Sequence, residues 1–130
     1  MGLALLQSKW LYEIDSILAV PMHPDRIRQR GYNQAAVLAD GVAAVTQLPL
    51  TPGILARNNY VPSQTSKGRL LRWQNVSGTF SLQHTAMLQG RHILLVDDVI
   101  TTGATIEACS KLLLDAGAAV SICTLAFARH

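Results

Sequence analysis

The sequence predicts an α/β domain built on a mainly parallel sheet. Two strongly apolar runs, 92–96 (HILLV) and 119–126 (AVSICTLA), have strand length and bracket a helical stretch of amphipathic pattern. A third apolar run, 17–22 (ILAVPM), is followed by a second helical stretch. The near-continuous apolarity of these runs suits a parallel sheet covered on both faces. The chain has 130 residues, the size of one domain, and spans it as a single unit, 1–130. With 49% hydrophobic and 15% charged residues, disorder over most of the length is excluded.

Each element follows in order. The first strand, 17–22, is cut off near Pro21 and Pro24. An Arg-rich loop follows. Asn33 then caps a helix over 34–46, with Ala35, Leu38, Val42 and Val45 on one side. Pro49 and Pro52 fix its exit, and 53–56 (GILA) reads as a short strand. Residues 57–79 are the most polar and least periodic text in the chain. A connection of that length suggests a mobile lid. Residues 80–91 give no clear period, and Gln89-Gly90 marks a turn. The strand at 92–96 leads to a helix over 103–116, with Ile106, Cys109, Leu113 and Ala116 on one face. Gly117 ends it, and the last strand is 119–126.

Charge is unevenly spread. Residues 23–91 hold eight Lys or Arg against Asp25 and Asp40, whereas 92–130 hold two against Asp97, Asp98, Glu107 and Asp115. A basic middle suggests an anionic partner, small or polymeric. Cys109 and Cys123 stand far apart in apolar contexts, which reads as two thiols in a reducing compartment. No stretch approaches the roughly 20 apolar residues that span a bilayer. The start has no signal-peptide form, so a cytoplasmic location is expected. The apolar stretch from Leu3 to Leu11 suggests a covered face or a homodimer.

The chemistry concentrates in 93–105, ILLVDDVITTGAT. Four aliphatic residues drive a strand into the core and set Asp97 and Asp98 at its carboxyl end, where open α/β sheets bind ligands. Two adjacent acids are costly to bury together unless a hydroxyl-rich sugar or an oxygen-seeking Mg²⁺ compensates them. Thr101, Thr102, Gly103, Ala104 and Thr105 then lead into a helix. Small residues let backbone amides converge on a phosphate, and the helix start adds free N–H groups and partial positive charge. No Lys is present, so this is not a Walker A loop.

The order of four aliphatics, two acids, two aliphatics and TTGAT resembles the ribose-phosphate signature of type I phosphoribosyltransferases. The resemblance implies a three-layer fold with a mainly parallel central sheet and a flexible hood loop. It implies that Asp97 and Asp98 contact the ribose hydroxyls of phosphoribosyl pyrophosphate and hold Mg²⁺. By the same resemblance, Thr101 to Thr105 wrap the 5-phosphate.

Two further segments, 20–39 (VPMHPDRIRQRGYNQAAVLA) and 56–80 (ARNNYVPSQTSKGRLLRWQNVSGTF), resemble the ComF/GntX family, named for late competence proteins. That family places a pyrophosphate loop after the first strand, which maps here onto Met22 to Arg26 with Arg30 to Gln34 close behind. His23, Arg26 and Arg30 are the expected anion contacts, because Arg offers a bidentate fork. The 57–79 lid corresponds to the hood, from which Lys67 and Arg69 can reach the leaving pyrophosphate. Asp97, Asp98, Arg26, Arg30, Lys67 and Arg69 are thus the expected catalytic set.

Two departures stand out. Thr65-Ser66-Lys67 replaces the apolar element common after the hood Gln, and the family's Cys-rich zinc ribbon is missing at the front. Hypoxanthine-guanine enzymes of this class carry an Asp where Thr101 stands, which argues against that kind of purine salvage. Three functions follow from the resemblance: transfer of the 5-phosphoribosyl group to an unidentified nitrogen acceptor, non-catalytic binding of the donor or a nucleotide, or an accessory part in competence and DNA uptake. The basic middle would serve nucleic acid only through salt-dependent backbone contacts.

Overall fold

The computed structural model describes residues 11–57, 79–100 and 102–128. Its centre is a parallel sheet of β1 (Ser16–Ala19), β4 (His92–Ile100) and β5 (Ala119–Phe127), in the order β1-β4-β5. Ile17 stands opposite Leu94, and Val96 opposite Cys123. A separate antiparallel pair, β2 (Leu55–Arg57) and β3 (Phe80–Leu82), aligns Arg57 with Phe80.

The pleat sorts the core into two layers, because successive strand residues point to opposite faces. Leu94 and Val96 pack with Ile14, Ile17, Ala39 and Val42, beneath helix α2 (Gln34–Thr46). Ile93 and Leu95 pack with Ile106, Cys109 and Leu113 of helix α3 (Ala104–Asp115), and with Leu55 and Phe80 of the hairpin. The expected α/β architecture of helix, sheet and helix is therefore present.

Several boundaries differ from the sequence reading. β1 stops at Ala19, although the Val20 N–H still donates to the Val96 carbonyl at 2.9 Å. Pro21 has no N–H to continue the ladder. The Arg-rich segment is not a loop but helix α1 (Pro24–Arg30). Its signals are local: Pro24 takes the first turn, where a missing N–H is harmless. His23 Nδ1 accepts from the Asp25 N–H at 3.0 Å, Arg28 pairs with Asp25, and Gly31 closes the end at φ +89°.

Asn33 caps α2 as expected, its Oδ1 accepting from the Ala35 N–H at 3.0 Å. Its Nδ2 also donates to the Val20 carbonyl at 3.1 Å, which ties the helix start to the end of β1. The buried face of α2 is Ala35, Ala39 and Val42, while Val45 is exposed. The apolar stripe is rotated from the expected one, because α2 is mostly small or apolar and its pattern constrains rotation weakly. β2 lies at 55–57 rather than 53–56.

β4 runs to Ile100, four residues past its expected end, so the acid pair lies within the strand. β5 has a partner on one side only among the described residues, and Ile122, Leu125 and Phe127 are exposed. The expectation of cover on both faces does not hold for it. No described helix is long and apolar enough to cross a membrane. The segment from Leu3 to Trp10, most of the expected lid (58–78) and Thr101 lie outside the described residues.

Candidate functional site: an acid pair beside a helix start

β4 delivers Asp97 and Asp98 to the carboxyl end of the sheet, and each carboxylate is held locally. Asp97 Oδ1 accepts from the Asp98 N–H, and Asp98 Oδ1 from the Val99 N–H, both at 2.9 Å. The Asp98 carbonyl accepts from Thr124 Oγ1 at 3.2 Å, which pins the pair to β5. Both acids are half-buried. Burial, and the adjacent Asp98 carboxyl with its charge, push Asp97 up from 3.8 to about 6, against a lowering by the Asp98 backbone N–H.

This shift carries a pH signature. The unfolded carboxyl releases its proton near 3.8 and the folded one near 6. Between these values the folded state holds more protons, so stability falls as pH rises. Above pH 6 the full cost of the ionised form is present. Asp97→Asn is expected to be more stable than the parent at pH 7.5, by about 1 kcal/mol after solvent screening of a half-exposed carboxyl. Below pH 3.8 the two should melt alike. Thermal melts across pH 3.5–8 check this, and a variant that is less stable at pH 7.5 refutes it.

The chain then turns into α3 through Gly103, whose φ of +83° favours glycine. Thr102 Oγ1 accepts from the Ala104 N–H at 3.3 Å, and the first helical bond runs from the Glu107 N–H to the Gly103 carbonyl at 2.8 Å. The N–H groups of Thr105 and Ile106 therefore have no intrahelical acceptor. A mostly polar cleft of about 40 Å³ opens at this point, lined by Asp97, Thr102, Gly103, Ala104 and Thr105 with Val99, Ile100 and Ile106. It has room for about three water-sized groups, the scale of an oxyanion. Asp97 shares the cleft with the threonine turn, while Asp98 is not part of its lining.

Of the expected anion contacts on α1, Arg26 and Arg30 are exposed. Arg30 Nη1 donates to Gln34 Oε1 at 2.9 Å, bridging α1 to α2. His23 is engaged as the cap of α1. These residues follow β1, the neighbour of β4, and so rise at the same end of the sheet as the acids. Lys67, Arg69 and Thr101 fall outside the described residues. Among the described residues no three or more His, Cys, Asp or Glu gather as a metal site. The adjacent carboxylates suit Mg²⁺, which takes one or two carboxylates and draws its other ligands from substrate and water.

Arg57 was missed in the sequence. It ends β2, is partly buried, and its guanidinium carbon lies 5.5 Å from the centroid of the Phe80 ring. Its only signal is position: the last residue of a short strand, at the start of the polar 57–79 text.

The phosphoribosyl transferase domain family matches residues 30–130. Competence protein F of Haemophilus influenzae is 36% identical over 104 residues, covering 79% of this chain and 45% of that protein. DNA utilization protein YhgH of Escherichia coli K12 is 33% identical over 105 residues, covering 81% of this chain and 45% of that protein. The chain thus spans just under half the length of these curated relatives. Among solved structures, glutamine phosphoribosylpyrophosphate amidotransferase from Bacillus subtilis, complexed with ADP and GMP, superposes with a TM-score of 0.65 at 25% identity. That match covers 95% of this chain and 24% of the amidotransferase. The aliphatic strand with its acid pair and glycine-led helix start, on a parallel sheet, agrees with these likenesses: the chain belongs to the phosphoribosyl transferase domain family, with the competence and DNA-utilization proteins as its relatives.

Proposed function

We propose that this protein binds a phosphorylated ribose, with the 5-phosphate in the cleft at the start of α3 and the sugar hydroxyls on Asp97 and Asp98. The observation that carries this is the shared cleft: Asp97 and the first residues of a helix, whose N–H groups lack intrahelical acceptors, line the same small polar space. A phosphate needs the donors, and a hydroxyl beside it needs the acceptor. Phosphoribosyl pyrophosphate is the proposed ligand. Asp97 and Asp98 would hold Mg²⁺ with it, and the ion would neutralise pyrophosphate charge. The names of the relatives suggest that the bound nucleotide precursor serves a cell process that uses incoming DNA.

Transfer of the 5-phosphoribosyl group to a nitrogen acceptor is a second reading. The match of residues 30–130 to the phosphoribosyl transferase domain family favours it. In that case Arg26, Arg30, Lys67 and Arg69 would stabilise the departing pyrophosphate, and Asp97 and Asp98 would orient the ribose.

Calorimetry and thermal shift with ribose 5-phosphate and with phosphoribosyl pyrophosphate, in magnesium buffer, test the first reading. Both should bind, the donor more tightly, while ribose without phosphate should not. No heat and no thermal shift with either phosphorylated ligand would overturn the site. Pyrophosphate release over a panel of bases and amines separates transfer from binding alone.

A further inference from the structure

The outer edge of β1 is closed at one residue and open two residues later. Ile17 engages the 49–51 segment with both backbone groups: its N–H donates to the Pro49 carbonyl at 2.8 Å, and its carbonyl accepts from the Thr51 N–H at 3.0 Å. Strand residues two apart face the same edge, so Ala19 presents its N–H and carbonyl there as well. Leu18 and Val20 face β4 instead, the Val20 N–H donating to the Val96 carbonyl. A parallel strand continued past Thr51 would set the Thr51 carbonyl and the Gly53 N–H on Ala19. The chain departs first: Pro52 fixes its own φ, and Gly53 turns at φ +82°. Neither edge group of Ala19 then has a partner among the described residues. Ala19 is half-buried, and such groups are costly unless water or a ligand takes them.

The departure leaves a cavity of about 400 Å³ between β1, α2 and the turn at 50–55. Leu18, Ala36, Leu50, Pro52 and Leu55 give it apolar walls, with Ala19 at the strand edge. From α2 it receives the small side chains of Ala36 and Ala39, so helix and turn do not close over β1. This volume, with apolar walls and a few fixed polar groups, is that of a small-ligand site. The described lining holds no Lys, Arg or His, and its acid, Asp40, is in no ion pair among the described residues. An anion is therefore disfavoured here. The cavity shares no lining residue with the cleft at the start of α3.

We propose that this cavity binds an uncharged, flat nitrogen heterocycle of the amidine type, whose ring nitrogen accepts from the Ala19 N–H and whose amino group donates to the Ala19 carbonyl. The N–H and carbonyl of one strand residue stand side by side on the edge, and a ring with an acceptor next to a donor matches both at once. The apolar walls receive the face of the ring. An extended peptide fits less well. It needs a run of open edge groups, whereas Ile17 is already taken by the 49–51 segment. The site is independent of the phosphorylated-ribose reading, because it lies on other residues and disfavours phosphate.

The test is amide NMR of the ¹⁵N-labelled protein, titrated with 2-aminopyrimidine and with 2-(dimethylamino)pyrimidine, which lacks the donor. The expected result is a saturable shift of the Ala19, Ala36 and Gly53 amides with 2-aminopyrimidine. The dimethylamino compound should bind about tenfold more weakly, since it leaves the Ala19 carbonyl without a partner. Ala36→Leu, which fills the cavity from α2, should lose the shifts while melting as a folded protein. Inorganic pyrophosphate should not displace the probe. No saturable shift at Ala19 overturns the proposal, and so does equal affinity for the two pyrimidines. Undiminished binding by a folded Ala36→Leu protein also overturns it. Displacement by pyrophosphate would make the cavity an anion site and overturn it too. If Ala36→Leu does not fold, the pair of pyrimidines still decides. Shifts at residues 103–106 with ribose 5-phosphate bear on the cleft alone, so the two readings fail separately.

Discussion

Asp98→Asn is expected to weaken phosphoribosyl pyrophosphate binding roughly ten- to a hundredfold, with little change in melting temperature. The loss follows from charge. A carboxylate that accepts from ribose hydroxyls makes charge-assisted hydrogen bonds of about 1.5–3 kcal/mol, and the amide makes weaker neutral ones. The fold should tolerate the change. Asp98 Oδ1 accepts from the Val99 N–H, and the Asn oxygen can accept the same bond.

A second readout comes with this variant. The Asp98 carboxyl helps to raise Asp97, by its side-chain contact and by its charge. In Asp98→Asn the titration of Asp97, followed by carboxyl NMR, should move down from about 6. It should stay above 3.8, because burial is the larger cause and remains. Unchanged donor affinity together with an unmoved Asp97 would remove Asp98 from the site.

Leu95→Ala, three residues earlier on the same strand, is expected to do the opposite: large damage to stability and none specific to the site. Leu95 is 0% exposed and packs in the cluster that joins β4 to α3 and the hairpin. Truncating a fully buried Leu costs about 3–5 kcal/mol through lost transfer energy and the cavity left behind. For a chain of this length that corresponds to a fall of about 10–20 °C in Tm. Leu95→Met, which nearly conserves volume, should cost less than about 1.5 kcal/mol. Urea melts check both. A loss under about 1 kcal/mol for Leu95→Ala would mean that α3 and the hairpin do not close over β4 as described. Below its melting temperature, Leu95→Ala should still bind ribose 5-phosphate, which separates core from site.

Much of the fold was readable because its signals are local. Asn33 as the cap of α2, Gly103 and Gly117 at the two ends of α3, and the aliphatic run of β4 depend on neighbours in sequence. The α/β order follows from them, since strands alternating with amphipathic helices pack as layers. The nucleus of the site was readable for the same reason: the two acids and the threonine turn lie within nine residues. The segment 24–30 was misread because its charge suggested a loop. Its helix depends on a His cap, a first-turn proline and one ion pair, a weaker pattern than an apolar stripe.

The sequence by itself determined the layer order, the aliphatic core strand and the acid–threonine motif, because these are written in adjacent residues. Only the tertiary structure decided which groups share a space. It set Asp97 in one cleft with the start of α3, and placed Arg57 over Phe80 through the pairing of two strands that 22 residues separate. It also raised Asp97, because burial and the adjacent carboxyl act on it together. The physical reason is range: capping and periodicity act over a few bonds, whereas desolvation and charge act through space between residues that only the packed chain brings together.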